Sequence, residues 1–150
     1  MIENLKKGIL FEADNYFIPW TNTFKDLKNE NVEIVEQGDR TIYKFGKQKV
    51  LNGLELDWTS MKWSWIDKNV PFAAIKSYLG EEDFGRIKAQ KIKEHLVKLF
   101  GEPNDKNEEK ERKMSLRWIF DNVRISIVGI EQFAMKYTVR IGWIDEPNWK

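Results

Sequence analysis

The chain contains no cysteine, and this absence excludes several kinds of site at once. Without thiols there is no disulfide framework, no thiolate zinc centre and no cysteine nucleophile. Histidine occurs once, at His95, so a pair of histidine metal ligands is excluded as well. The carboxylates follow none of the DxD, HExxH or calcium-loop spacings. We therefore expect neither a metal site nor a cofactor.

Glycine and proline are also scarce, with nine glycines and four prolines in 150 residues. They are scattered, so the chain has neither a glycine-rich phosphate loop nor a Ser/Gly/Pro-rich linker between domains. A length of 150 residues suits one ordinary domain. We therefore predict a single domain over residues 1–150 and no nucleotide site of a known motif.

Long hydrophobic runs are missing too, and none approaches the length that crosses a bilayer. The first apolar stretch is interrupted at Glu12 and Asp14, so the start of the chain lacks the layout of a secretory signal. The net charge is +1, from 25 basic and 24 acidic residues, which gives no overall field to attract nucleic acid or an anionic membrane. These absences predict a cytoplasmic protein that binds neither a membrane nor nucleic acid.

Strand-like alternation, in contrast, is abundant. From Val32 the stretches VEIVE, RTIYKF and KVLNGLELDW are separated by the turn signals QGD and GKQ, which indicates an antiparallel meander. Near the other end, the dipeptide Asp121-Asn122 predicts a two-residue hairpin turn, and the stretch MKYTVRIGW predicts a further half-buried strand. The predicted hairpin pairs are Phe120 with Val123, Trp118 with Ile125, and Leu116 with Ile127.

Helical patterns complete the fold prediction. A short helix is predicted from IENLKK to Gly8, a second near WTNTFKDLK with Thr23 as its cap, and a third in NVPFAAIKSYLG. The main helix is predicted from Glu82 to Phe100, and the charged residues 104–113 are expected to form a solvated loop. Its predicted apolar arc consists of Phe84, Ala89, Ile92, Leu96, Leu99 and Phe100. The fold class is therefore α+β, with helices packed on one face of a meander-rich antiparallel sheet.

The stretch DWTSMKWSW, residues 57–65, holds three of the seven tryptophans and is called the tryptophan segment below. In an unbroken strand, Trp58 and the pair Trp63 and Trp65 would lie on opposite faces. Either a β-bulge near Thr59 corrects this, or both faces are covered. We expect at least one of the three tryptophans to be partly exposed, where it would serve as an anchor for a ligand or partner. The candidate binding residues here are Trp58, Lys62, Trp63 and Trp65.

A second candidate surface is the polar side of the C-terminal strands, called the basic face below. The alternation that buries Trp118 and Ile125 places four cations on the opposite side, namely Arg117, Arg124, Lys136 and Arg140. These residues form either an ordinary solvated surface or a docking surface for an acidic partner. Exposed aromatics are not interleaved with them, which argues against nucleic acid.

No catalytic residue is assigned. His95 falls at the margin of the main helix's apolar arc, and no serine or cysteine nucleophile motif accompanies it, which favours a structural role. A non-enzymatic protein is therefore favoured. An enzyme that uses His95 or a pair of carboxylates remains the third alternative, because only the fold can bring such groups into one cleft.

Four stretches resemble small cytoplasmic bacterial α+β proteins, including immunity proteins of polymorphic toxin systems: FIPWTNTFKDLK, HLVKLFGEP, RWIFDNVRISIV and KYTVRIGW. The resemblance implies a stoichiometric binder of a protein partner. The first functional hypothesis is thus a protein-interaction module, such as an immunity-type inhibitor of a bacterial toxin. The alternative is a small-ligand or saccharide-binding domain in which the tryptophan segment lines a pocket together with Asp57.

Overall fold

The computed structural model describes residues 1–27, 32–63, 65, 69–109 and 113–144. The chain divides into two compact units. The first unit is made of Met1–Ile75 and the chain from Gly142 onward, and the second is Lys76–Ile141. Within the described residues, no helix is long and apolar enough to cross a bilayer.

The first unit contains a small hairpin and a longer antiparallel meander. Helix α1 (Ile2–Leu5) leads into strands β1 (Gly8–Phe11) and β2 (Tyr16–Pro19), which pair in a two-stranded sheet. A 3-10 helix (Phe24–Leu27) follows, and then β3 (Glu33–Gln37), β4 (Arg40–Val50) and β5 (Leu54–Trp63), with β4 between its two antiparallel neighbours. The alternation in the sequence predicts the meander, but no pattern predicts the β1–β2 hairpin.

Aromatic side chains organise the core of the first unit. The Trp20 ring is fully buried, its Nε1 donates a 2.7 Å hydrogen bond to the Leu5 carbonyl oxygen, and its centroid lies 5.7 Å from that of Phe72. The backbone N–H and Oγ1 of Thr23 both donate to the Asp26 carboxylate at 3.0 Å, so Thr23 begins the 3-10 helix as predicted. Residues 28–31, where that helix was predicted to continue, lie outside the described residues.

The predicted turn at GKQ is wrong, because β4 continues through it. The register between β4 and β5 shifts between Lys44 and Gly46, so Phe45 is the extra residue of a β-bulge. Gly46 has a positive φ of 73°, which glycine adopts without steric cost. The chain reverses instead at residues 51–53, where three successive residues have positive φ. The turn signal at GKQ is read from neighbouring residues alone. The β-bulge, in contrast, depends on pairing with β5, so the local signal could not predict it.

The second unit holds the main helix and five strands. Most of β6 (Ala74–Glu81) belongs to it and is followed by α2 (Glu82–Phe100), β7 (Asp105–Glu109), β8 (Lys113–Phe120), β9 (Val123–Gln132) and β10 (Ala134–Trp143), whose end belongs to the first unit. The strand order is β6-β10-β9-β8-β7. Helix α2 has the predicted bounds, and Gly101 ends it with a φ of 83°.

The predicted hairpin is confirmed pair by pair between β8 and β9, around a turn at Asp121-Asn122. Trp118 is buried, and its Nε1 donates a 2.9 Å hydrogen bond to the carbonyl oxygen of Gly101 at the end of α2. Phe100 and Phe120 meet at 4.9 Å between ring centroids. Helix α2 therefore contacts the face of the sheet that carries Trp118.

Three predictions for this unit are wrong. The stretch NVPFAAIKSYLG contains no helix, and its part from Ala74 onward belongs to β6. Ile75 and Leu79 are buried along with Ser77 between them, which is the period of two of a strand. The charged segment predicted as a loop contains β7, which pairs with β8; residues 110–112 lie outside the described residues. Phe84 is 65% exposed and does not join the buried arc of α2, where Gly85 is buried instead.

The coarse fold class is confirmed as an α+β chain built mainly of antiparallel strands with one long helix. Packing of the helices on one face of a single sheet, and the single domain, stay predictions.

Candidate functional site

Strand β5 places the tryptophan segment, and its two faces differ in burial. Trp58 is fully buried, and its Nε1 donates a 3.1 Å hydrogen bond to the Gln48 carbonyl oxygen on β4. Lys62 points to the same side and is only 5% exposed, with its amine 3.4 Å from the Trp63 carbonyl oxygen. Two of the four candidate binding residues, Trp58 and Lys62, are therefore buried and not accessible to a ligand or partner.

The other two tryptophans meet at the end of β5. Trp63 is half-buried, Trp65 is 70% exposed, and their rings stack with centroids 5.0 Å apart and planes 14° apart. The expectation that at least one tryptophan is partly exposed is confirmed. Strand β5 itself is continuous, and the β-bulge opposite Trp58 and Thr59 lies on β4. Trp58 is buried on one face of β5, whereas Met61 and Trp63 are half-buried on the other.

The stacked pair can act as an apolar contact surface. One face of the Trp65 ring rests on Trp63, while most of its area remains open to solvent. An aromatic ring held in this way loses little conformational freedom on binding, and it can pack against an apolar side chain or the face of a sugar ring.

The basic face is assembled by strands β8, β9 and β10 of the second unit. Arg117 lies opposite Ser126 in the β8–β9 register, and Arg124 lies two pairs further along, opposite Ile119. A Cβ built on Gly129 would lie 2.8 Å from the Tyr137 ring, so Tyr137 is on the buried side of β9. Lys136 and Arg140 alternate with Tyr137 and therefore share the outer side with the two β8–β9 arginines. All four predicted cations are half-buried on one face.

The cations of the basic face interact with neighbouring charged residues of the second unit. Arg117 forms a 3.3 Å ion pair with Asp105 on β7. Burial, and then the positive charge of Arg117, lower the pKa of Arg124 below its ordinary value. Ser126 between them is 4% exposed, and its Oγ has no hydrogen-bond partner within the described residues. The positive charges of the two guanidinium groups thus repel each other.

The structure also reveals a site that the sequence analysis did not predict. A cavity of about 600 Å³, called the N-terminal groove below, lies beside the β1–β2 hairpin of the first unit. Its lining includes Leu5, Lys7, Ile9, Leu10, Phe17 and Leu51. The signal for it was weak: Leu10 and Phe17 are apolar residues in short strands, and only their pairing across the hairpin leaves both partly exposed.

The histidine and the acidic side chains in the described part of the chain form no metal-binding cluster. His95 is half-buried on α2, and no group of three or more histidine, aspartate or glutamate side chains among the described residues could hold a metal ion. The roles expected for His95 and for carboxylate pairs therefore stay predictions.

Comparison of the chain with protein-family models, with curated proteins and with solved structures gives no match.

Proposed function

We propose that the chain is a non-enzymatic protein-interaction module, and specifically an immunity-type inhibitor that binds a bacterial toxin. The observation that carries this proposal is the stacked pair of Trp63 and Trp65, with 70% of the Trp65 side chain open to solvent. A large exposed aromatic ring is the kind of residue that dominates protein interfaces. The resemblance of four sequence stretches to immunity proteins supports the choice of partner.

Within this proposal the residues of the tryptophan segment have two different roles. Trp65 and Trp63 contact the partner directly. Trp58 and Lys62 are interior residues of β5, so they hold the strand that presents the pair. Loss of the Trp65 ring should therefore weaken binding without affecting the core.

The basic face adds the electrostatic part of the proposal and favours an acidic partner. Its cations are half-buried, so their aliphatic stems are already ordered and little side-chain freedom is lost when the heads pair. Charge complementarity of this kind raises the association rate and makes it fall with added salt.

The test is affinity capture from the native cytoplasm, followed by titration with the captured protein after purification. Wild-type chain is compared with Trp65→Ala and, separately, with Arg124→Glu. We expect one stoichiometric, acidic partner, bound at least about tenfold more weakly by each variant, because an interface anchor contributes roughly 2 kcal/mol or more. Phe133→Ala is a matched control for the first variant, since Phe133 is a fully exposed aromatic in the turn before β10.

Lys47→Glu is the control for charge reversal, because Lys47 is an exposed cation on β4 of the first unit and is not one of the four cations of the basic face. Circular dichroism and thermal unfolding establish that each variant is folded. A partner retained equally by both site variants would contradict the proposal, as would a partner lost equally with the two controls.

The second candidate function is saccharide binding, and the near-parallel Trp63–Trp65 stack favours it, because an open indole face can pack against a sugar ring. The buried Trp58 cannot contribute to such a surface. Calorimetric titration with soluble glucan and chitin oligosaccharides distinguishes the two functions. Saturable binding that Trp65→Ala abolishes, without a protein partner, would favour the saccharide.

A further inference from the structure

We propose that the N-terminal groove binds an amphiphilic carboxylate, that is, a ligand with an unbranched alkyl chain and one anionic head. This site lies in the β1–β2 region of the first unit and is independent of the interaction function proposed above. Its volume of about 600 Å³ is within the range of small-molecule pockets.

The apolar part of the groove matches an alkyl chain. Leu5, Ile9 and Leu51 form a buried apolar lining, exposed by 6% or less. Leu10 and Phe17, which pair across the hairpin, are 36% and 40% exposed. A chain lying in the groove would cover these two side chains and remove apolar surface from water on both sides of the contact.

The charge of the ligand head follows from Lys7. This exposed residue lines the groove, and its amine has no ion pair or side-chain hydrogen bond among residues 1–27, 32–63, 65, 69–109 and 113–144. Lys7 therefore supplies an amine that a carboxylate can reach from the groove, and a cationic head would be repelled there.

Glu12 also lines the groove, but its carboxylate is not paired with the Lys7 amine. Both carboxylate oxygens of Glu12 accept 2.7 Å hydrogen bonds from backbone N–H groups, those of Asn52 and Gly53 in the β4–β5 turn. Those bonds hold the carboxylate in the turn and satisfy its charge locally. The groove thus combines an apolar lining with the amine of Lys7, and this combination is the complement of a fatty-acid-like anion.

The experiment is isothermal titration calorimetry of the 150-residue chain with hexanoate, octanoate and decanoate, each below its micelle-forming concentration. We expect one site, with affinity rising about three- to fourfold for each methylene that enters the groove. Decanol and decyltrimethylammonium are titrated in parallel. Decanoate should bind most tightly and the ammonium compound least.

Variants locate the site. Lys7→Gln should weaken decanoate binding about tenfold through loss of a charge-assisted contact and leave decanol binding unchanged. Leu10→Trp should fill part of the groove and remove the gain from the longest chain. Lys47→Gln, an exposed lysine elsewhere on the first unit, should change nothing. Circular dichroism is recorded for each variant, and Lys7→Gln tests the site even if Leu10→Trp does not fold.

Three results would overturn the proposal. These are no saturable binding of decanoate, an affinity independent of chain length, and equal loss of decanoate binding in the Lys7→Gln and Lys47→Gln variants. None of them bears on the tryptophan pair or the basic face, so failure here is distinguishable from failure of the interaction function.

Discussion

Gly85 in the first turn of α2 offers a test in which local and tertiary effects have opposite signs. Replacing an exposed helical glycine with alanine normally stabilises the helix by about 1 kcal/mol. At Gly85, however, a Cβ would overlap the Gly80 carbonyl oxygen and lie 2.6 Å from the Gly80 carbonyl carbon. It would also lie 2.8 Å from Cδ2 of Tyr137. We therefore expect Gly85→Ala to destabilise the chain.

The size of the stability loss depends on whether the atoms that the new Cβ would contact can shift. Gly80 is backbone with a φ of +119°, and a Cβ on Gly80 would itself lie 2.7 Å from the Phe84 ring, so this side of the contact has little room to shift. Overpacking of this kind typically costs about 1–3 kcal/mol, and contact with backbone places the cost at the upper end. After subtracting the helix-propensity gain, the net loss is about 1–2 kcal/mol, or a fall in Tm of roughly 2–8 °C for a chain of this size.

The assay is urea unfolding followed by far-ultraviolet circular dichroism, with thermal unfolding as a second measurement. Gln90→Ala is the control, because Gln90 is exposed on the same helix and should change the free energy of unfolding by less than about 0.5 kcal/mol. A Gly85→Ala variant more stable than the wild type by about 1 kcal/mol would refute the packing argument.

Two further predictions concern the first unit. Trp20→Phe should cost about 1–3 kcal/mol of the free energy of unfolding, because the Leu5 carbonyl oxygen loses its 2.7 Å bond from the indole; an unchanged urea midpoint would contradict this. Burial, and then the charge of Glu36, raise the pKa of Tyr43 from 10.0, so its contribution to stability is complete below that pH and is lost as the pH rises through the folded-state pKa. Thermal unfolding at increasing alkaline pH should therefore show a smaller loss of stability in Tyr43→Phe than in the wild type, and identical losses would speak against it.

The parts of the fold that the sequence predicted are those set by neighbouring residues. The turn at Asp121-Asn122 determines the β8–β9 register, since a two-residue turn leaves one pairing for the alternating side chains on each side. The bounds of α2 follow similarly from acids at its start and glycine after its end. These signals act within a few residues, and no distant partner competes with them.

The parts that failed depend on distant partners. Ile75 and Leu79 are four apart, which satisfies both helical and strand spacing, and only the burial of Ser77 between them distinguishes the two. The burial of Trp58 beside the exposed Trp65 depends on what covers each face of β5, and the N-terminal groove combines Leu51 with the β1–β2 hairpin some forty residues earlier. The sequence therefore identifies the tryptophans as candidate binding residues, but it does not show which of them are buried and which are exposed.

The bulge at Phe45 determines where the length of this chain can vary. Because Phe45 is one residue more than β5 requires, its removal would leave Tyr43 opposite Ser60 and Gly46 opposite Trp58, with every side chain still on its present face. The loss would be the Phe45 ring, which packs 5.3 Å from that of Phe11. A one-residue deletion within β5 would instead turn half of that strand inside out. Homologous chains should accordingly differ in length by one residue at position 45 and keep the length of β5 constant.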